Sequence, residues 1–512
     1  MAPVGQYLRY STVFDERANL KVLALAATLD ATRPAGVREI YPGYGSVYVE
    51  WEDRTLSNER AQEWIDAALN ADHDDLKAPK QIDVPVNYGG IDTDDVVEQT
   101  GLTPEQIAAL HASREYRVCA RATVGQPMMA STDERLRVPR RKTPRTDVPA
   151  LAVAIANEQA TIYPVLMPGG WNVIGTALEN VYDPHRDDPF LFELGDTVRF
   201  EAEQGEPPKT PERRILLPET PHTPALRVEE AGALDLVLDH GRLNQAHHGM
   251  AQSGPLDARA ARLANALCGN APGTTLIEST LHGPRFTALT DLVVGAAGRG
   301  FTLHLDGEPQ GQRTTHVTRG QSLQLKATGN GVRGYLALAG GIEAEPFLGS
   351  ASVDRYGLIG RALRAGDVLG LARTDTSPIE MQARALQTPY HLVIRLHRGP
   401  QWSEEAERAL TSAPFTVSTG DRMGVRLEGP EVPGGELLSE SPPPGAVQVP
   451  SGGAPILLLA DRQRSAGYDK PAVIHPDDLP LAGQLRPGET IRFVVVGDHP
   501  VPWFRDLEEG AP

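Results

Sequence analysis

The sequence has 512 residues, 40% hydrophobic and 23% charged, which is ordinary for a globular protein of three or four domains. Its formal net charge of −18 argues against a nucleic-acid groove or an anionic membrane surface as partner. Cys119 and Cys268 are too few and too far apart for a disulfide framework or a zinc site, which suggests reduced, buried thiols in a cytoplasmic protein.

The N-terminal MAPVGQYLRYSTVF lacks the regions of a signal peptide, and no apolar run approaches the ~18 residues of a membrane helix. Residues 1–80 mix helix and strand. ERANLKVLALAATLDA (16–31) reads as a helix capped by Asp15, VREIYPGYGSVYVEWE (37–52) as two strands about a Pro-Gly turn, and SNERAQEWIDAALN as a helix capped by Ser57. With KQIDVPVNY (80–88) as a last strand, the order β-α-β-β-α-β suggests a small ferredoxin-like layer.

Residues 81–202 turn β-rich. TPEQIAALHAS (103–113) is the one clear helix, with Thr103 as cap and Pro104 at its first position. DERLRVPRRKTPRTDVPA (133–150) is a basic, proline-broken segment, read as a solvated loop or as an anion-binding rim. EQGEPPKTPERRILLPETPHTP (203–224) reads as a linker between two halves. In 225–385, the strand LDLVLD leads to a turn and to a helix from Asp257 ending at Gly269. His247 and His248 have no third ligand at zinc spacing and read as a solvated turn. A connector around 374–388 leads to a last β-rich unit, 386–500, and 501–512 reads as a loose tail.

The densest chemistry lies in 415–470. GVRLEG (424–429) alternates like a half-buried strand, with Asp421 and Arg422 in the turn before it. ILLLAD (456–461) reads as a buried strand delivering Asp461 to its end. SPPPGAVQVPSGG between them must run extended and turning. Asp-Arg neighbours of this kind are more often ion pairs or turn caps than catalysts.

Asp421-Arg422-Met423-Gly424, Pro444-Gly445-Ala446-Val447-Gln448-Val449-Pro450, Asp461-Arg462-Gln463 and Gly467-Tyr468 stand in the order and spacing of a known family. The stretch resembles the C subunit of 5-oxoprolinase, also called allophanate hydrolase subunit 2, a relative of the carboxyltransferase part of urea carboxylase. Ile277-Glu278-Ser279-Thr280-Leu281 and GYLALAGGIEAEPFLGSAS extend the likeness upstream. Residues 1–202 resemble the B subunit of the same enzyme through Pro85-Val86-Asn87-Tyr88-Gly89-Gly90, His111, Thr143-Pro144-Arg145, Ile162-Tyr163-Pro164 and Pro168-Gly169-Gly170-Trp171. This chain departs from the pattern at 122–130, where aromatic residues that would wall a small-molecule site are missing, and at Leu238, Ala297, Arg464 and Asp469.

The resemblance implies a mainly β protein with α+β parts. It implies a cyclophilin-like barrel in each half, the first preceded by the ferredoxin-like layer. It implies a component of an ATP-dependent 5-oxoprolinase, a hydrolase of a cyclic amide, acting with a separate A subunit that is another chain, and using ATP with Mg2+. Asp421 and Asp461 would be catalytic, holding Mg2+ or acting as base. Arg422 and Lys470 would pair with phosphate or carboxylate, while Gln448, Arg462, Gln463, Tyr468, Tyr88, His111, Tyr163, Gly169, Gly170 and Trp171 would contact substrate. Replacing Asp461 by Ala is expected to abolish turnover in a folded chain. Two other readings stay open. One is carboxyl transfer from biotin to a urea-like amide, and the other is a regulator binding a histidine kinase, favoured by the altered loop. No phosphate loop, Rossmann fingerprint, Gly-x-Ser-x-Gly elbow or biotin-attachment site is present, so partner proteins would supply that machinery. Self-association into a homo-oligomer is also open.

Overall fold

A computed structural model describes residues 4–71, 78–143, 145–329, 331–376, 380–383 and 392–507. Pro144, residues 377–379 and 384–388 of the 374–388 connector and residues 508–512 of the expected tail lie outside the described residues.

The front layer forms as its periodicities dictate. Glu16–Ala31 and Asn58–Leu69 are helices, and Asp15 and Ser57 cap them by accepting from the amides of Ala18 (2.7 Å) and Arg60 (3.4 Å). Both bury their apolar stripes on one face of a sheet, where Val22, Leu25, Leu29 and Ile65 meet Leu8, Val47, Val49 and Trp51. The opposite face carries Tyr7, Tyr41 and Tyr48.

The fourth strand of this sheet differs from the expectation. Gln81–Tyr88 does not close the layer but pairs with Thr197–Ala202 and Asn172–Ala177 in the barrel that follows. The sheet order is 37–42, 46–51, 4–9, then 504–506. Phe504–Asp506, assigned to the tail by sequence, runs parallel to Val4–Arg9, with Tyr7 opposite Phe504. Arg9 fixes it with a 2.6 Å ion pair to Asp506 and a guanidinium 4.0 Å from the Phe504 ring centroid. A three-residue edge strand is too short to show alternation, and strand pattern does not name a strand's partner.

The first half is built on a closed barrel of strands 172–177, 81–88, 197–202, 115–121, 127–130, 159–162 and 152–156. Alternating residues split its surface in two. Val84, Val86, Val118, Val153, Ile162 and Phe200 cluster with Val96 and Ile107 of the helices Thr93–Thr100 and Pro104–Ala112. The other set, Ala120, Met128, Ala154 and Val173 among them, packs with Tyr44 of the front layer and with Met250, Phe347 and Ile359 of the second half. The 203–224 segment is exposed at first, but from Arg213 it is laid on the second half, where Arg213 donates to the carbonyl of Gly360 at 3.0 Å and Leu216 is buried.

The second half opens with a six-stranded and a five-stranded sheet sharing one core, Leu226, Phe286 and Leu323 against Ile277, Val294 and Leu336. Ala258–Leu267, capped by Asp257, packs on the five-stranded sheet. A second seven-stranded barrel follows, 393–398, 490–497, 415–420, 424–428, 456–458, 446–449 and 466–474, closed by pairing of its first and last strands. Mainly β structure with one such barrel per half agrees with the expected cyclophilin-like architecture. Cys119 and Cys268 are both buried and unpaired. No described helix is long and apolar enough to cross a membrane.

Candidate functional site

Two neighbouring strands set the first cluster. Gly424–Glu428 pairs with Ile456–Leu458 antiparallel, Gly424 opposite Leu458, so Arg422 and Asp461 emerge at the same end. Arg422 grips Asp461 in a bidentate pair, Nε to Oδ2 at 2.9 Å and Nη2 to Oδ1 at 3.0 Å. Its Nη1 donates to Glu278, and its Nη2 to the carbonyl of Gly254 at 2.8 Å. Glu278 also accepts from Tyr335 Oη at 2.7 Å and the Leu256 amide at 3.0 Å. Arg422, Glu278 and Asp461 are all buried. Burial works against the Arg422 cation, but Asp461 and Glu278 outweigh it and raise its pKa. Burial, opposed by Arg422, pushes the Asp461 carboxyl up to about 6.

This arrangement locks the second barrel onto the two-sheet domain through satisfied charges. Asp421 is exposed, and its Oδ1 accepts from the amides of Met423 (2.8 Å) and Gly424 (3.0 Å), holding the hairpin turn. The two carboxylates do not fit a magnesium ion, because both Asp461 oxygens are taken by Arg422 and one Asp421 oxygen caps a turn.

The loop after Asp461 turns the other way. Arg462 Nε donates to the Pro442 carbonyl at 3.0 Å, and Arg464 Nε to that of Met250 at 2.7 Å. Beyond them lie two buried acids of the front layer, Glu50, 4.0 Å from Arg462 Nη2, and Glu39, 3.4 Å from Arg464 Nη2. Further along, on the strand Ala466–Ile474, Lys470 is fully buried, and its ammonium lies 3.0 Å from both Glu440 Oε1 and the Tyr468 carbonyl. Gln401 ties this pair by donating to Glu440 at 2.9 Å and accepting the Lys470 amide at 3.1 Å. Gln463 Nε2 reaches Gln448 Oε1 at 3.4 Å.

The basic segment 133–150 of the first half reaches this region through one arginine. Arg141 and Arg145 are consumed by Asp92, at 2.5 and 2.6 Å, and Arg135 by Asp133 at 2.9 Å, so most of the basic segment is neutralised rather than forming an anion-binding rim. Arg140 crosses to the second half instead. Its Nη2 donates to Ser439 Oγ at 3.3 Å, its Nη1 stands 4.0 Å from Glu436, and its buried Nε has no hydrogen-bond partner. It lies on Gly467, where a Cβ would fall 2.5 Å from Nη1. Behind it, Tyr163 packs on Gly169, where a Cβ would fall 2.3 Å from the phenol oxygen, and the Gly170 carbonyl accepts from the Arg141 amide at 2.8 Å. Trp171 is buried in the same cluster as Tyr163 and Tyr44, with Leu438 of the second half against it.

Thus Tyr163, Gly169, Gly170 and Trp171 are brought to the seam that carries Gly467, Tyr468 and Lys470. Tyr88 and His111 are not. Tyr88 Oη meets His111 Nδ1 at 2.8 Å, beside the Phe200 ring, whose centroid lies 4.4 Å from that of His111, inside the first barrel's own core cluster. Sequence reading missed Arg140, Glu278, Gln401, Glu440, Glu39 and Glu50 as site residues. Glu440 heads the Glu-x-x-x-Pro-Gly spacing before Gln448 and was accessible from that motif; the acids of the front layer carried no local signal.

The altered loop has a structural explanation. Val124 donates its amide to the Gly249 carbonyl at 3.0 Å, and Arg121 Nη1 lies 2.6 Å from His248 Nδ1. His248 stacks on Phe190 with ring centroids 4.7 Å apart and planes 6° apart. The loop is therefore a seat for the second half, which accounts for its missing aromatics by packing. His247 and His248 are half-buried in that seam rather than on a solvated turn, because Gly249, at φ +72°, carries the chain into the barrel.

Burial lowers these imidazoles, His247 to about 4 (Arg121 adding to the effect) and His111 to about 3. An unfolded histidine titrates near 6.5, so below that pH the unfolded chain takes up protons that the folded chain refuses. The stability is intact above pH 6.5 and lost as pH falls toward 4, at up to about 1.4 kcal/mol per pH unit for each group. Asp461 acts oppositely between pH 4 and 6, and so do Glu39, Asp235 and Asp257, whose carboxyls burial also raises, but burial lowers His248, His397 and His499 as well. The urea midpoint is expected to drop clearly between pH 7.5 and pH 5; a flat profile would contradict neutral buried histidines.

Comparison with known proteins follows the two-half division. The "Carboxyltransferase domain, subdomain C and D" family matches residues 4–192, and "Carboxyltransferase domain, subdomain A and B" matches 248–495. The C subunit of 5-oxoprolinase from Escherichia coli (strain K12) is 35% identical over 282 residues, 52% of this chain and 90% of the relative. The B subunit of 5-oxoprolinase from Escherichia coli O157:H7 is 42% identical over 123 residues, 23% of this chain and 56% of the relative. Urea amidolyase of Lachancea kluyveri is 28% identical over 56% of this chain but only 18% of its own length. The crystal structure of TTHA0988 superposes with a TM-score of 0.91 at 47% identity, covering 96% of this chain and 100% of that one.

Proposed function

Since the chain belongs to the carboxyltransferase-domain family that includes the B and C subunits of 5-oxoprolinase, we propose that it is a fused B–C component of an ATP-dependent 5-oxoprolinase. The reaction converts 5-oxoproline, ATP and water to glutamate, ADP and phosphate. A lactam resists water because its carbonyl is resonance-stabilised. Phosphorylating the amide oxygen makes the ring carbon electrophilic enough for water to add. The C–N bond then breaks with the nitrogen leaving as the protonated amine, and the acyl phosphate so formed is hydrolysed to the carboxylate and phosphate.

The observation that carries the reading is Arg140 of the first half, laid against Gly467 and Ser439 of the second with an unsatisfied buried nitrogen. In this reading its guanidinium takes the substrate's carboxylate, an interaction suited to its planar donor fork. Gln448, Gln463 and Tyr468 offer amide and phenol groups to the lactam, and the Lys470–Glu440 pair fixes the strand that presents them. ATP with its magnesium is assigned to a separate chain, the A subunit of such an enzyme, because Arg422 holds both Asp461 oxygens and one Asp421 oxygen caps a turn. A reducing, cytoplasmic setting fits the two buried, unpaired thiols.

The test is 5-oxoproline-dependent ADP release by the purified chain, alone and with a co-expressed A-subunit-like protein. Activity in the mixture alone is expected. The match to a urea amidolyase favours a second reading, biotin-dependent carboxyl transfer to a urea-like amide. That activity would need biotin and be blocked by avidin, and its appearance in place of lactam turnover would replace the first reading.

A further inference from the structure

A cleft of about 380 Å3 lies where the front layer, the two-sheet domain and the second barrel meet. Neither Arg140 nor Tyr468 lines it. Its walls come from Glu52–Arg54 and Arg38, from the start of the Ala258–Leu267 helix, and from the Pro444-Gly445 turn with Leu459, Ala460 and Arg462.

The cleft reverses the charge of the chain. The whole sequence has 49 Lys and Arg against 67 Asp and Glu, but this lining sets five arginines against three carboxylates. Two of those carboxylates are already neutralised, Glu52 by Arg38 at 2.8 Å and Asp477 by Arg259 at 2.9 Å. Arg54 and Arg262 have no ion-pair partner among the described residues, and the Arg262 Nε bond goes only to its own helix, at the Ala258 carbonyl. At the floor, Arg462 is 2% exposed. Its Nε is bonded, but its two terminal nitrogens make no hydrogen bond among the described residues, and Glu50 stands 4.0 Å away. A buried guanidinium with idle donors, opening on a cavity of ligand size, is a site built for an anion.

We propose that this cleft binds a small free anion bearing a carboxylate or phosphate group, seated on Arg462 and held at the mouth by Arg54 and Arg262. This goes beyond the oxoprolinase reading and does not depend on it. Burial, with Arg464 beside it, pulls the Arg462 pKa down to about 10, so a bound anion would relieve a strained cation. Because three parts of the chain line the cleft, occupancy would also clamp their junction, and binding to the folded state alone raises the unfolding temperature by mass action.

The experiment is calorimetric titration and thermal unfolding of the full chain at low salt. The probes are inorganic phosphate and malonate, with chloride at matched ionic strength as control. One saturable site and a rising unfolding temperature are expected. Tighter binding of phosphate would identify a phosphorylated ligand, and tighter binding of malonate a carboxylate. Arg54→Glu with Arg262→Glu, both exposed side chains, should weaken binding at least ~10-fold while leaving the ligand-free unfolding temperature unchanged. Arg462→Gln should abolish it. No saturable binding of either probe, or equal binding by the Arg54→Glu/Arg262→Glu chain, would overturn the proposal. The readout needs no turnover, so its failure is distinct from failure of the oxoprolinase reading.

Discussion

Replacing Arg422 by methionine is expected to destabilise the chain by about 3–5 kcal/mol. The substitution leaves Glu278 (1% exposed) and Asp461 (8%) in the interior without their shared cation. It also orphans the Gly254 carbonyl, which accepts from Arg422 at 2.8 Å. Arg333, 3.8 Å from Glu278, is too poorly placed to substitute. Removing one member of a buried ionic set costs more than the set contributes, because the remaining charges cannot regain water. The same geometry revises the expectation for Asp461→Ala. That variant should lose stability as well as any activity, although less than Arg422→Met, since Arg422 keeps Glu278. Urea unfolding of both variants checks this, and a midpoint for Arg422→Met close to wild type would show that the cluster is solvated.

Gly249→Ala should be nearly as damaging. A Cβ there would fall 1.6 Å from the Ala122 carbonyl oxygen and 3.0 Å from the Gly125 amide. Both are backbone atoms of the loop that seats the second half, so neither can rotate away. The residue also has φ +72°, which disfavours a side chain on its own account. Overpacking of about 1–3 kcal/mol adds to a left-handed backbone cost of about 1–2 kcal/mol. Gly101 is the control, with the same φ of +72° but nothing within 4 Å of its would-be Cβ. Gly101→Ala should therefore lose only the backbone cost, and equal losses for the two variants would mean that the seam yields.

How much of this was legible in the sequence depends on the range of the contact. The Asp421–Lys470 block announced Arg422 and Asp461, and adjacent strands put them together as their positions imply. The completing acid, Glu278, is 144 residues from Arg422, and no spacing rule reaches that far. Helix starts at Asp15, Ser57, Thr103 and Asp257 were readable because a cap is a local hydrogen bond. The strand Phe504–Asp506 was not, since its place beside Val4–Arg9 is fixed by tertiary contacts such as Arg9 on Phe504. Tyr88 and His111 carried a family motif, yet their pairing serves the barrel core. Arg140 was hidden among neighbouring arginines of the same loop, and only its partners separate it from Arg141 and Arg145.

In the oxoprolinase reading the two halves form one site around Arg140. The measurement that tests it most directly is the rate of 5-oxoproline-dependent ADP release by Arg140→Ala in complex with an A-subunit-like protein, beside its unfolding temperature. Arg140 is a partly satisfied residue at the seam, so the account predicts a loss on the order of 100-fold in kcat/KM with the unfolding temperature nearly unchanged. Turnover at the wild-type rate would contradict it and leave the seam between the halves as packing alone.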